Sequence, residues 1–328
     1  MDRIGPRLAV LRLGLGAALT AAAPSAPYPI RAAQWLDPPQ RYTALSSQPA
    51  ECAAVPRDAA ERQLFEIGRA AFRAPLLLGG QAARSGLSCA SCHSNGRRNP
   101  AFRFPGLSGD PGTADVTSSL MSSHRGNGQF DPRPIPDLAV PGKVARARGD
   151  PALETFIHGL ITQEFDGAEP PALILRGLGV YVRAIGRPGC DLQGREPLRL
   201  ANLTQDASRA VAASSHAWRS GNAAAARLLL SSARSMLGLI HERYAAPRLA
   251  SDRQALLRAD LGLLAVEQAM DRKDTRVPAM LAAWQTNRRW TVPLARDEAR
   301  SLFAAANLTR SLAAISRPLP ARDAGSPH

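Results

Sequence analysis

Lysine and aromatic residues are scarce in this chain of 328 residues. Lys143 and Lys273 are the only lysines among 41 basic residues, and aromatic side chains make up 5% of the sequence. The arginines behind the formal charge of +14 are scattered among acidic residues instead of forming a run. Nucleic-acid binding is therefore not expected, since it needs clustered charge and aromatic stacking platforms. The charge instead favours an acidic protein partner or contact with an anionic membrane surface.

Long hydrophobic runs are also missing, because no stretch reaches the roughly eighteen uncharged residues that a membrane helix needs. A short apolar run, Leu13–Ala23, follows Arg3, Arg7 and Arg12 and ends in small residues suited to cleavage. This pattern is typical of a secretory signal peptide, which we assign to residues 1–26. An uncleaved anchor is the alternative, because Arg12 interrupts the apolar character. The mature protein is expected to be periplasmic.

Cysteine occurs only four times, and two of the four lie in the pentapeptide Cys89-Ala90-Ser91-Cys92-His93. This is the attachment pattern of a c-type haem, in which two thiols form thioethers with the vinyl groups and the next imidazole binds iron. No second C-x-x-C completes a zinc ribbon. No strand pattern surrounds the motif, as a thioredoxin-type dithiol requires. The sequence predicts one covalent haem c held by Cys89, Cys92 and His93, with a chance C-x-x-C-H as the alternative.

The two remaining cysteines, Cys52 and Cys190, flank the haem segment almost symmetrically. In an oxidising compartment such a pair is expected to form a disulfide. Two unpaired thiols are the alternative.

Composition divides the rest of the chain into a haem domain and a helical tail. Residues 27–55 show no sustained period and are expected to form an extended lead-in. Residues 56–190 are assigned to the haem domain, with helices predicted to start at Pro56–Asp58, Asp150–Pro151 and Pro170–Pro171. The proline- and glycine-rich loop of this domain is expected to wrap the haem or to form a small core of its own. Its candidate lining residues are Phe102, Phe104, Leu107, Leu120, Phe130 and Ile135.

Residues 200–316 are dominated by Ala, Leu, Arg and Glu and predict a helical bundle. Five helices are expected there, at about 202–220, 222–245, 251–272, 276–289 and 294–315. Residues 317–328 are expected to be a disordered tail. The predicted fold class is all-α, with a class I cytochrome c-like haem domain followed by this bundle.

The ligand on the other side of the iron decides between functions. A methionine or histidine there gives an electron carrier, whereas an open position lets peroxide or a gas bind. Met121 is the preferred candidate, because it lies in the flexible loop where class I cytochromes present a thioether. His124 and an open site are the alternatives, while His158 is expected on a helix surface. Arg103 and Arg125 are candidate partners for the haem propionates.

The layout of an opening helix, C-x-x-C-H, a ligand loop and a terminal helix with Leu178 and Tyr181 in an L-x-x-Y pattern resembles a class I cytochrome c. The run from Ile67 to Leu77, the haem motif and the following loop further resemble the haem domains of the bacterial cytochrome c peroxidase family, which includes the methylamine-utilisation di-haem enzymes. This resemblance covers residues 60–188. Members of that family carry two C-x-x-C-H sites, whereas this chain has one.

We therefore expect a periplasmic c-type cytochrome that carries single electrons between redox partners, one of them another periplasmic cytochrome or oxidoreductase. The alternative is a peroxidase-like haem enzyme, or a haem protein that binds gas or peroxide, with His124 or Glu164 as a general base beside an open distal site. No ligand cluster marks residues 203–315, so the tail is expected to act as an interaction module.

Overall fold

The computed structural model describes residues 30–147, 149–186 and 190–315, and these are mostly helical. The all-α expectation is confirmed at this level. The predicted signal peptide (1–26) and the predicted disordered tail (317–328) lie outside the described residues. The helices are α1 (Arg41–Ser46), α2 (Ala59–Ala71), α3 (Gly80–Ser85), α4 (Cys89–Cys92), α5 (Ala152–Gly159), α6 (Ala172–Ala184), α7 (Leu200–Arg219), α8 (Ala223–Arg243), α9 (Ala250–Asp271), α10 (Val277–Thr286), α11 (Thr291–Asp297) and α12 (Ala305–Ile315).

Short 3₁₀ turns and strands connect these helices. The 3₁₀ turns are Arg31–Trp35, Pro38–Gln40, Pro75–Leu77, Pro247–Leu249 and Glu298–Arg300, and a π-helical turn, Leu160–Glu164, extends α5. The strands form antiparallel pairs: β1 (Ser47–Pro49) with β6 (Arg195–Pro197), β2 (His93–Ser94) with β3 (Arg97–Arg98), and β4 (Thr113–Ala114) with β5 (Arg133–Pro134).

The segment expected as an extended lead-in is more structured than predicted. Within 30–55 it forms two 3₁₀ turns, α1 and β1, and Trp35, Leu36 and Leu45 are buried. Its order comes from distant partners, since β1 pairs with β6 nearly 150 residues later. Local periodicity in the sequence carries no signal for such long-range pairing.

Helix α2 begins at Asp58, whose side chain accepts a hydrogen bond from Glu61 N at 2.8 Å. It packs closely against α6 at a pair of glycines. A Cβ atom added to Gly68 would lie 1.9 Å from the carbonyl oxygen of Gly177. The two helix backbones can approach so closely only because both residues at the contact are glycines. The contact fixes the carboxyl end of α2, on which the C-x-x-C-H turn rests.

In the tail, α7 to α10 lie close to the helices predicted from the apolar periodicity. The prediction of one helix over 294–315 is wrong, because the segment divides into α11, a 3₁₀ turn and α12. At Ser301 the chain is extended, and its hydroxyl accepts a hydrogen bond from Phe303 N at 3.1 Å. The next amide, Leu302 N, donates to Arg243 O at 2.8 Å. A hydroxyl that bonds to a nearby amide competes with the helix, and the tertiary bond to α8 completes the break.

The haem segment and the tail share one hydrophobic core. The buried cluster extends without interruption from Phe65 on α2 to Leu294 on α11. Polar contacts also cross the junction, since Ser232 Oγ on α8 donates to Ala70 O at 2.8 Å. The described parts of the predicted haem domain and of the tail, up to residue 315, are therefore packed against each other around this core.

Helix α8 has the length and apolar composition of a membrane-spanning helix. More than half of its apolar stretch is buried within the protein. Its buried residues, such as Leu229 and Ile240, belong to the shared core. Burial of this kind is typical of a central helix in a bundle.

Candidate functional site

The C-x-x-C-H motif forms a single helical turn, α4, with fixed ends. Ser88 precedes it, and Ser88 N donates to the hydroxyl of Ser91 at 3.0 Å. Ala90 N donates to Phe72 O at 3.1 Å, which docks the turn onto the residue that follows α2. Asn99 Nδ2 donates to Ser91 O at 2.9 Å. Residues three apart on a helix share a face, so this turn presents both cysteine side chains on one side.

The two thiols and the imidazole lie in surroundings of low polarity. Cys89, Cys92 and His93 are each partly exposed. Nevertheless, burial raises the pKa of both thiols to about 12 and lowers the pKa of His93 to about 4. At neutral pH the thiols are protonated and the imidazole is neutral, which is the form that binds a metal.

His93 has one ring nitrogen without a hydrogen bond among the described residues. Its Nδ1 atom is buried and unpartnered, although the Pro136 carbonyl and Asp137 lie near enough to favour the protonated ring and so to raise its pKa. The Phe72 ring lies 6.5 Å from the imidazole between centroids. Asp137 is itself held by Arg97 at 2.7 Å. A buried nitrogen beside a carbonyl is the usual second-sphere arrangement of a metal-binding histidine.

An apolar cluster covers the side of the turn that carries the thiols. Cys89 and Cys92 pack against it, and Met121 is a member with 1% of its surface exposed. The other buried members are Trp35, Leu78, Ala82, Leu87, Phe102, Leu107, Ala114 and Ile135. We call this set the attachment-side cluster. It is separate from the shared helical core, apart from Cys89, which touches both.

Most of the predicted haem lining lies in this cluster. Phe102, Leu107 and Ile135 are buried members, and Phe104 is partly buried against it. Leu120 and Phe130 do not belong to it, since their side chains are 41% and 59% exposed. Both lie on the outer part of the proline-rich loop, where the sequence pattern does not distinguish inward from outward positions.

Met121 and His124 are three residues apart but lie in different environments. Met121 is buried beside the thiols, whereas the His124 side chain is 63% exposed. His124 Nε2 lies 3.9 Å from Asp166 Oδ1 on the surface. Ser122 between them holds the loop, because its hydroxyl donates to Gln163 O and accepts from His124 N at 3.0 Å. The structure therefore places Met121, and not His124, in the attachment-side cluster, against which the two cysteines also pack.

Glu164, the candidate general base, is buried at the end of the π-helical turn. Its Oε1 accepts from Arg125 Nη1 at 2.5 Å, while its Oε2 is buried with no partner among the described residues. Burial raises the pKa of Glu164, and Arg125 offsets only part of this effect. The next residue, Phe165, packs against the attachment-side cluster. A partly neutralised carboxyl group therefore lies close to the edge of that cluster.

A buried ionic group behind the turn was not predicted from the sequence. Glu51 accepts hydrogen bonds from the Tyr181 hydroxyl at 2.8 Å and from Arg69 Nε at 2.9 Å, and it lies 3.4 Å from Arg73 Nη2. Burial opposes ionisation of Glu51, but Arg73, Arg69 and the Tyr181 hydroxyl outweigh it and lower its pKa. Glu51 is therefore ionised, and Tyr181 is both a core aromatic residue and a hydrogen-bond donor.

Arg73 links this group to the haem turn and to the tail. Its Nη2 donates to Asn95 Oδ1 at 2.6 Å, and its Nε lies 3.3 Å from Asp206 Oδ2 on α7. Asn95 follows His93 by two residues and has a φ of 50°. This left-handed conformation is uncommon for residues other than glycine, and the hydrogen bonds of the Asn95 side chain hold it in place. Asn95 Nδ2 donates to Pro49 O at 2.9 Å. No sequence signal indicated that Asp206 would pair with Arg73, because the two residues are more than 100 positions apart.

Cys52 and Cys190 form the predicted disulfide. Their sulfur atoms are at bonding distance and their Cα atoms are 5.7 Å apart. Cys52 is fully buried. Gly186 N donates to Cys52 O at 2.8 Å, so the bridge lies at the carboxyl end of α6.

The other predicted polar residues lie at the periphery. Arg103 N donates to Trp35 O at 2.9 Å, which places Arg103 at the edge of the attachment-side cluster, and its guanidinium pairs with Asp37 at 3.5 Å. His158 Nε2 is 2.8 Å from Glu169 Oε2 on the surface, as expected for a helix-surface histidine.

A groove of about 770 Å³ borders the attachment turn. Ser88, Ala90 and Ser91 line it together with residues of α8 and α9. The two cysteines, His93 and Met121 do not line it. The groove is therefore not lined by the residues that are expected to hold the haem.

Metal binding by protein side chains alone is not indicated in the described part of the chain, where no three His, Cys, Asp or Glu side chains converge. The chain was compared with protein-family models, curated proteins and solved structures, and none of them matched it.

Proposed function

We propose that this protein is a periplasmic single-haem c-type cytochrome that carries one electron at a time between redox partners. The observation that carries the proposal is the burial of Met121 in the same apolar cluster that the thiols of Cys89 and Cys92 contact. On this reading the chain contains a class I cytochrome c-like unit, and its partner is another periplasmic cytochrome or oxidoreductase. The basic charge favours a partner with an acidic docking face.

The residues present fit a covalent haem c. The turn presents two protonated thiols for thioether bonds, and His93 offers a neutral imidazole. Apolar side chains of the attachment-side cluster would suit the porphyrin, and Met121 would offer its thioether to the iron. Arg103, at the edge of this cluster, is suited to a propionate.

When bound, haem c supplies a one-electron iron couple. The chain's own residues would set the properties of that couple. Buried apolar groups exclude water, and thioether ligation by Met121 favours the reduced state relative to histidine ligation. Arg73 and Asn95 hold the turn that carries His93, and Asp206 on α7 holds Arg73. A turn held in this way would change little when the iron gains or loses an electron, which would favour fast transfer.

Glu164 favours a second candidate function, a peroxidase-like enzyme of the kind that the sequence resemblance implies. Its unpartnered, buried Oε2 and raised pKa would suit it to accepting and returning a proton, if the iron kept one ligand position free. This function requires that Met121 does not occupy that position.

One experiment separates the two. Full-length protein is matured with haem, and its optical spectrum is recorded in ferric and ferrous forms, with and without carbon monoxide. We expect a low-spin spectrum with a sulfur-to-iron band and no response to the gas. Met121→Ala should lose the band and bind carbon monoxide, because it removes the thioether.

Met270→Ala is the matched control, since Met270 is buried in the helical core away from the attachment-side cluster. It should keep the spectrum of the parent protein. A parent protein that is high-spin and binds carbon monoxide would support the enzyme instead. Protein that carries no haem after denaturation would refute both functions.

A further inference from the structure

A second pocket, of about 290 Å³, lies far along the chain from the haem turn. It is formed by the end of α8, the 3₁₀ turns Pro247–Leu249 and Glu298–Arg300, and the first turns of α12. Four of its lining residues are arginines, and no carboxylate lines it among the described residues. Its lining residues are Arg243, Ala246, Arg248, Arg300, Ser301, Leu302, Asn307, Arg310 and Ser311. We call it the arginine pocket.

Arg243, at the end of α8, is a buried cation with no carboxylate within ion-pair distance among the described residues, although Glu242 favours its charged form. It has 4% of its surface exposed, and its guanidinium donates to Leu302 O at 3.0 Å and to Leu45 O at 2.7 Å. The guanidinium also lies 5.1 Å from the centre of the Phe303 ring. Burial lowers the pKa of Arg243 to about 10, so it remains charged at neutral pH. Neutral carbonyls orient this charge but do not cancel it.

The other three arginines are exposed and only partly neutralised. Arg248 Nη2 donates to Arg300 O at 3.0 Å, and Arg310 Nη2 donates to Asn307 Oδ1 at 2.7 Å. Arg300 pairs with Asp297 at 3.2 Å, but that carboxylate is shared with Arg296. The pocket therefore carries a large excess of positive charge.

We propose that the arginine pocket binds a phosphoryl group, either as free phosphate or as part of a lipid headgroup. Guanidinium groups present paired N–H donors that match tetrahedral oxyanions. Several of them surround one pocket here, which suits a group with three or four acceptor oxygens better than a carboxylate with two. The pocket also includes Ser311, whose hydroxyl offers a further hydrogen-bonding group. This site is independent of the haem proposal, because it shares no residue with the attachment-side cluster.

The test uses the full-length, haem-loaded protein and two probes. Calorimetric titration with inorganic phosphate measures the free anion, and co-sedimentation with phosphatidylcholine vesicles containing phosphatidylglycerol measures the lipid. Arg248→Gln with Arg310→Gln is the variant, since both side chains are exposed and their loss should not unfold the protein. We expect binding to weaken at least about tenfold, which is about 1.4 kcal/mol. Binding should also weaken as salt is added.

The matched control is Arg258→Gln with Arg272→Gln, which removes two exposed arginines on and just after α9 and changes the net charge equally. It should leave binding within about twofold of the parent. Phosphate binding that is lost only in the pocket variant identifies a free anion as the ligand, and vesicle binding lost in the same way identifies a lipid. Absence of both, or equal weakening in the variant and the control, would overturn the proposal. The optical spectrum should be unchanged in every variant, so failure here is distinct from failure of the haem proposal.

Discussion

At the scale of single residues, two glutamates near the end of the haem segment have opposite pKa shifts. Glu154 on α5 pairs with Arg183 at 2.6 Å, and this bond lowers its pKa more than burial raises it. Glu164 pairs with Arg125, but burial wins and its pKa is raised. The difference arises because one oxygen of Glu164 is buried with no partner.

Glu164→Gln should therefore stabilise the protein at neutral pH by roughly 1 kcal/mol, since it removes a charge that is incompletely compensated. A raised pKa in the folded state means that ionisation costs stability, so the advantage of the variant should grow as the pH rises above the usual range of a glutamate. It should shrink toward acidic pH, where both side chains are neutral. Urea unfolding at pH 4 and pH 7 measures this.

Glu154→Gln is the matched control and should behave in the opposite way. Its lowered pKa means that the ionised form stabilises the folded state, so the variant should lose roughly 1 kcal/mol at neutral pH and less in acid. If the two variants change stability in the same direction at pH 7, the assignment of Glu164 as an uncompensated buried carboxyl is wrong.

The sequence predicts residues of the candidate site only where these residues are neighbours in the chain and form a recognisable motif. Cys89, Cys92 and His93 are contiguous, and their pattern is specific enough to be identified without a fold. The sequence favours Met121 over His124 only on the chemistry of its side chain, because both residues lie in a loop without periodicity. Folding separates them, since Met121 is buried and His124 is on the surface. The group around Glu51 has no local pattern at all.

At the scale of elements, the contact between α2 and α6 determines where the haem turn lies. Gly68 and Gly177 let the two backbones touch, and the carbonyl of Phe72, just after α2, accepts the hydrogen bond that docks α4. The Phe72 ring also packs beside His93 and, at 5.3 Å, against Tyr181. A displacement of α2 would therefore reach the site directly.

Gly68→Ala should lower the free energy of unfolding by at least about 2 kcal/mol. The added Cβ meets backbone atoms of α6, which cannot turn aside as a flexible side chain would. Gly238→Ala is the matched control, because Gly238 is also inside a helix and nothing lies within 4 Å of the added atom. The control should gain about 0.5–1 kcal/mol from reduced backbone entropy. Urea unfolding followed by circular dichroism tests both, and a Gly68→Ala variant as stable as the parent would contradict the close contact.

The sequence predicts the helices well where a long amphipathic stripe is present. It predicts secondary structure poorly where a segment is held by hydrogen bonds to residues far away in the chain. Helices α2, α6 and α7 to α10 have apolar residues at helical spacing, and they lie close to the predicted positions. The lead-in gave no such pattern, since its strand pairs with residues 195–197. The break near Ser301 was missed because its cause is a bond between Leu302 and the end of α8.

At the scale of the whole molecule, the segments assigned to two domains have one core. The boundary drawn from the change in composition near Cys190 separates proline-rich from helix-rich sequence, but composition does not report packing. Asp206, Ser232 and the buried face of α7 complete the surroundings of α2. The tail is thus part of the support behind the haem turn, in addition to any partner that it binds.

The disulfide closes the haem segment at the point where it meets the tail. Cys52 and Cys190 are 138 residues apart, so the bridge constrains a long loop of the unfolded chain. Replacing both cysteines by serine should lower the free energy of unfolding by about 4–5 kcal/mol if the effect is entirely due to chain entropy. Urea unfolding of the haem-loaded double variant measures the loss. A reductant should bring the parent protein to the same midpoint, because thioether bonds to haem resist reduction while the disulfide does not. A double variant within 1 kcal/mol of the parent would show that the core shared by haem segment and tail, and not the bridge, holds the two ends of the segment together.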